Sequence, residues 1–126
     1  MSSARRERSG GVADDVTRGR ELLHELAAGL GDDRPVEFGR MFNGEGIKVT
    51  GSFFAFIGHT GQLIAQLPAE RVRHLVESGD AEWVTMGTRT MREWADFPVR
   101  PDEEATKTLW RSVLVEAYTF VASLSR

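Results

Sequence analysis

Apolar side chains recur at helical spacing early in the chain. Val16, Leu22, Leu23, Leu26 and Leu30 fall on one face of a helix predicted from about Asp14 to Leu30. Asp14 and Asp15 suit the positive N-terminal end of its dipole. The stretch "GDDRP" stops it, with Gly31 fitted to the C′ position and Pro35 preventing resumption. Beyond Pro35 the period changes from helical to alternating. Ile47 and Val49 alternate with Lys48 and Thr50, as in a half-buried strand, and "GQLIAQL" points Leu63, Ala65 and Leu67 one way. Between them "SFFAFIG" is apolar on both faces, Phe53, Ala55 and Ile57 on one and Phe54 and Phe56 on the other. Thr50–Gly51 and Gly58–Gly61 are short turns suited to antiparallel hairpins, so the three strands form a meander.

"PAERVRHLVESG" follows as a compact helix, with Pro68 near its start, Gly79 at its end, and Val72, Leu75 and Val76 as its buried stripe. Two more strands are predicted at "EWVTMG" and "MREWADF", separated by the turn-like "GTRT" and closed by Pro98 and Pro101. A last helix spans about Asp102 to Ser123. Its apolar arc, which includes Leu109, Trp110, Val113, Leu114, Ala117, Phe120 and Val121, is wider than one seam against a sheet requires. The predicted order is α-β-β-β-α-β-β-α: a two-layer α+β fold with a mainly antiparallel five-stranded sheet. Residues 1–12, rich in Ser, Gly and Arg, are expected to form a disordered arm ahead of a single domain over 13–126.

The two-sided apolarity of "SFFAFIG" leaves one face in need of a cover, from a second copy of the chain or from a loop folded back. A homodimer is the expectation, with Phe53, Phe54, Phe56 and Trp110 as candidate dimer or sheet-face surface.

Composition narrows the function classes. The chain of 126 residues has 40% hydrophobic and 28% charged residues, an ordinary globular balance. Its formal charge of −3 gives no general attraction to nucleic acid or anionic lipid. With no cysteine there are no disulfides, thiolate nucleophiles or Cys-ligated zinc, which fits a cytoplasmic protein. "MSSARRERSGG" lacks the apolar core of a secretory signal, and "FFAFIG" is far too short to span a bilayer.

Candidate chemistry is sparse. "EFGRMFNGEGIKVTG" (Glu37–Gly51) offers G-x-G at Gly44 and Gly46, but Val49 stands where a dinucleotide fingerprint needs its third glycine, and a strand follows instead of a helix. These are turn or bulge glycines. His24, His59 and His74 are too scattered for a metal motif. The acid pairs Asp14–Asp15, Asp32–Asp33 and Glu103–Glu104 sit at helix ends or in loops, and no nucleophile elbow is present. No catalytic residue, metal or cofactor is therefore expected. The richest local chemistry is "TMGTRTMREWADF". Thr88, Arg89, Thr90 and Arg92 gather hydroxyls and guanidiniums around a turn, and Trp94 shares a strand face with Arg92 and Asp96. That set is a candidate anion or partner contact.

The motifs "MFNGEGIKVTGSFFAFIG", "LIAQLPAERVRHLVESG" and "MGTRTMREWADFP", with "EAYTFV" near the end, resemble the N-terminal domain of the TfoX/Sxy family of bacterial competence regulators, over about residues 13–124. The YjbR/MmcQ-like grouping, similar in layout and final helix, is the second resemblance. The likeness implies a compact two-layer domain without known catalytic residues. It further implies a stand-alone version, since the C-terminal domain of the competence regulators does not follow here. The expected function is a non-enzymatic protein-interaction module linked to transcriptional regulation, with an unidentified protein partner. The alternative is a nucleic-acid-binding domain using Arg89, Arg92 and Trp94.

Overall fold

A computed structural model describes residues 11–31, 34–41 and 44–124. The elements are α1 (Gly11–Ala27), β1 (Val36–Met41), β2 (Gly44–Val49), β3 (Ser52–Ile57), β4 (Leu63–Gln66), α2 (Ala69–Glu77), β5 (Glu82–Met86), β6 (Arg89–Phe97) and α3 (Glu103–Leu124). The α+β class and the order of helices match expectation, but the sheet has six strands, ordered β1-β2-β3-β4-β6-β5, all antiparallel to their neighbours. The added strand is β1. It is an edge strand exposed along much of its length, so it lacks the apolar alternation that announces a half-buried strand. Of the arm expected over 1–12, residues 11 and 12 open α1 and the rest lies outside the described residues.

The helices lie on one side of the sheet. α3 packs on β2, β3 and β4, α2 packs on β5 and β6, and α1 packs on α3 and β3. Contact with both a sheet and a second helix explains the wide apolar arc of α3, where Trp110, Val113, Leu114, Ala117 and Val121 are all buried. Opposite them stand Ile47 and Val49 of β2, Leu63 and Ala65 of β4, and Phe97 of β6, all fully excluded from water.

The alternation expected of "SFFAFIG" is broken. Ile47 pairs with Ala55 but Lys48 pairs with Phe53, so Phe54 is an inserted bulge residue. Both Phe54 and Ala55 therefore go to the helix side, where Phe54 meets Tyr118 edge-on at 5.7 Å. Phe53 goes to the other side, with the Lys48 ammonium 5.5 Å from its ring centre. This corrects the expected split, which set Phe53 with Ala55 and Phe54 with Phe56. It also corrects the candidate surface. Phe54 and Trp110 are both 0% exposed and belong to the core, while Phe53 and Phe56 belong to the helix-free face.

Candidate functional site

Strand register aligns one residue from each strand into a row across the helix-free face. The row runs Glu82, Asp96, Ile64, Phe56, Gly46, Gly39. It starts acidic, becomes apolar in the middle and ends in two glycines. The ring of Phe53 lies over those glycines, since a Cβ at Gly39 would come within 3.1 Å of its Cζ. The sheet curls so that its two edge strands, β1 and β5, line one hollow. Phe38 and Trp83 line it although they pair with Ile47 and Ala95 of the core and so leave their strands on the helix side. The hollow is a trough of about 850 Å³ with Phe56 and Ile64 in its floor. Val16 and Arg20 of α1 also line it, and Trp83, Val84 and Met86 make the β5 wall.

The trough gathers apolar surface left exposed elsewhere. Among the described residues the large hydrophobic side chains that stay exposed are Phe38, Trp83, Met86, Val115 and Leu124, and the first three line the trough. Phe38 is held in place by His24, whose ring stacks on it at 4.2 Å with 7° between planes. His24 Nε2 is in turn 3.0 Å from Glu45 Oε2, and Arg20 Nε is 3.6 Å from Glu45 Oε1. Under the far side of the floor, Phe56 packs on Trp94 at 5.8 Å between ring centres.

The polar end is built by the β3–β4 turn. The Thr60 backbone N–H donates to Gln62 Oε1 at 3.0 Å, and the Thr60 hydroxyl donates to the same oxygen at 2.5 Å. Gln62 Nε2 donates to Asp96 Oδ2 at 3.3 Å. Gly58 makes room for this, because a Cβ there would stand 2.6 Å from the Gln62 amide carbon. Burial holds the Asp96 carboxyl above the usual carboxylate range, and the charge of Glu82 adds to the effect. The Gln62 hydrogen bond and the charge of His59 act in the opposite direction.

A raised carboxyl has a consequence for stability. Native Asp96 keeps its proton to higher pH than the unfolded chain does, so stability falls as pH rises from the ordinary carboxylate pKa of about 3.9 through the native value. The cost is complete at neutral pH. Asp96→Asn is therefore expected to raise stability at pH 7 by about 0.5 kcal/mol, allowing for solvent screening of a half-buried group. The gain should shrink toward pH 4, as read from urea midpoints across that range.

The residues singled out in the sequence are divided between two faces. Thr90 and Arg92 line a second groove of about 830 Å³ on the helix side, with Glu70 and Arg73 of α2 and Trp83 and Thr85 of β5. Thr88 and Arg89, exposed near the hairpin tip, line neither cavity. Trp94 pairs with Gln66 and packs on Phe56, on the other side of the sheet. The shared face expected for Arg92, Trp94 and Asp96 therefore reduces to Trp94 and Asp96. The cause is a slip in register: the partner in β6 jumps from Ala95 at Trp83 to Met91 at Val84. Among the described residues no group of three His, Asp or Glu side chains could hold a metal ion, and no helix is long and apolar enough to cross a membrane.

The chain matches no family model, no curated protein and no solved structure. Sequence reasoning passed over Gln62, Phe38, Trp83 and Met86, and met Asp96 only as a strand-face neighbour of Trp94. An acid at the outward position of an alternating strand and a glutamine after a turn are ordinary surface choices, and only the pairing of distant strands makes them neighbours.

Proposed function

We propose that the chain is a non-enzymatic binding module whose trough takes up a small organic molecule with an apolar body. The concentration of exposed Phe38, Trp83 and Met86 around one hollow carries this proposal, because scattered exposed hydrophobics need no explanation and clustered ones do. A volume of about 850 Å³ lies within the usual range for small-molecule sites, and a mainly apolar lining with a few convergent polar groups is their usual chemistry. The resemblance to the TfoX N-terminal domain supports the non-enzymatic part of the proposal. It is also the support for a link to transcriptional regulation through a protein partner.

A homodimer through the helix-free face has less support than before. Phe54 is core, and Phe56, 7% exposed at the floor of the hollow, offers too little surface to pair with a second copy. The nucleic-acid alternative is likewise weakened, since Trp94 and Arg92 lie on opposite faces and Arg73 beside Arg92 is already paired with Glu70 and Glu77.

The test is a titration with neutral aromatic fragments, indole and 2-phenylethanol, followed by backbone amide shifts. The amides of Phe38, Ile64 and Val84 should move together. Trp83→Ala, at a side chain 41% exposed and so tolerant of truncation, should weaken binding about fivefold or more. Shifts confined to other surfaces, or none at millimolar fragment, would refute the proposal.

A further inference from the structure

We propose that the trough selects molecules bearing a cationic head group, with a primary ammonium received by Asp96 and the apolar body laid on Ile64 and Phe56. The inference rests on the trough being a small-molecule site and adds the chemistry it chooses.

The orientation of Gln62 is the first support. An N–H can only donate, so the Gln62 atom facing the Thr60 N–H must be its oxygen, and the NH₂ must then face Asp96. The turn thus presents a neutral donor to one carboxylate oxygen and holds the carboxylate in place. Its one basic side chain, His59, acts on Asp96 through charge at longer range and forms no ion pair with it among the described residues. Among the described residues Asp96 makes no ion pair, and its cross-strand partner Glu82 is a second acid. The half-buried negative charge is left without an ion-pair partner, in a hollow large enough to admit one.

The energetics point the same way. A carboxyl whose burial raises its pKa is a net cost to the fold at neutral pH. Costs of that kind collect at sites kept for binding. A ligand ammonium would supply the missing charge through a charge-assisted hydrogen bond. An aromatic ring also lies near: Phe56 pairs with Ile64, which pairs with Asp96, and an aromatic face attracts a cation.

The arginines of the lining do not reverse this choice. Arg20 already faces Glu45, which also holds His24. Arg40 belongs to β1, at the opposite edge of the sheet from the Asp96–Glu82 pair. A ligand seated on Phe56 and Ile64 therefore meets its nearest full charge at Asp96.

The experiment compares phenethylammonium with 2-phenylethanol and 3-phenylpropanoate, which share the ring and differ in the head group. Each is titrated into the whole protein and followed by amide shifts. The ammonium should bind about tenfold more tightly than the alcohol, the usual gain from a charge-assisted hydrogen bond. Asp96→Asn keeps an oxygen to accept from Gln62, so it should fold as the parent does and abolish the preference. Glu82→Gln should reduce the preference two- to threefold, acting only through longer-range charge. Equal affinity for ammonium and alcohol, a preference that survives Asp96→Asn, or tighter binding of the carboxylate overturns the inference. In those cases shifts at the trough amides still uphold the trough as a small-molecule site. Shifts at no trough amide with any of the three remove both.

Discussion

Gly61→Ala is expected to lower stability by about 3 kcal/mol, read as a large drop in the urea midpoint. Gly61 sits in the β3–β4 turn at φ +87°, where an alanine alone costs about 1–2 kcal/mol. The larger part comes from α1. A Cβ at Gly61 would run into the carbonyl oxygen of Asp15 and stand 3.0 Å from the amide nitrogen of Val16. Both are backbone atoms, so no rotamer change relieves the overlap and the helix must move. The approach is mutual, because a Cβ at Gly19 in α1 would meet the carbonyl oxygen of Gly61. Helix propensity taken alone says that Gly19→Ala stabilises by about 1 kcal/mol. The close approach reverses that sign and gives a loss of about 2 kcal/mol. Gly79 is the control. At φ +89° with nothing within 4 Å of its added Cβ, Gly79→Ala carries the backbone strain alone and should cost about 1 kcal/mol. An α1 displaced by Gly61→Ala would also shift Val16 and Arg20 in the trough wall, so binding should weaken along with stability.

This contact shows where sequence reasoning reaches its limit. The three helices are legible because each repeats a local period: Leu22, Leu23 and Leu26 in α1, Val72 and Leu75 in α2, and Trp110, Val113, Leu114 and Ala117 in α3 are all buried, as their spacing predicts. The two-residue turn at Thr50–Gly51 is legible for the same reason, and its φ values of 50° and 85° are those of a tight hairpin. In "EFGRMFNGEGIKVTG", Gly44 and Gly46, expected as turn or bulge glycines, are instead strand residues of β2, and a Cβ at Gly46 would stand 2.9 Å from the Ala55 carbonyl oxygen. What is not legible depends on pairing between distant segments. β1 has too little apolar alternation to be seen without its partner β2. The slip between β5 and β6 separates Arg92 from Trp94, although a period of two puts them together. The trough residues come from segments tens of positions apart, and each is unremarkable until the sheet curls.

Phe54→Ala should cost about 3–5 kcal/mol and Phe53→Ala only about 1, and the order of the two midpoints tests the bulge in β3. Phe54 is fully excluded from water and meets Tyr118 edge-on at 5.7 Å, so its truncation leaves a cavity between sheet and α3. Phe53 is half-buried and lies over Gly39 and Gly46, where water can fill the space it leaves. Strict alternation, with Phe53 beside Ala55 and Ile57 facing inward, predicts the opposite order. The same bulge decides what the helix-free face is made of. Because Phe54 is the inserted residue, Phe53 and Phe56 both face away from the helices and Phe56 can meet Trp94. Without the insertion, Phe53 would turn toward the core and the β1 end of the trough would be bare glycine backbone. Phe53→Ala should therefore leave the fold nearly intact while uncovering Gly39, which lines the trough, and Gly46 beside it. A stable Phe53→Ala protein that binds the fragments with altered affinity, beside a Phe54→Ala protein that unfolds early, would tie the bulge to both the core and the site.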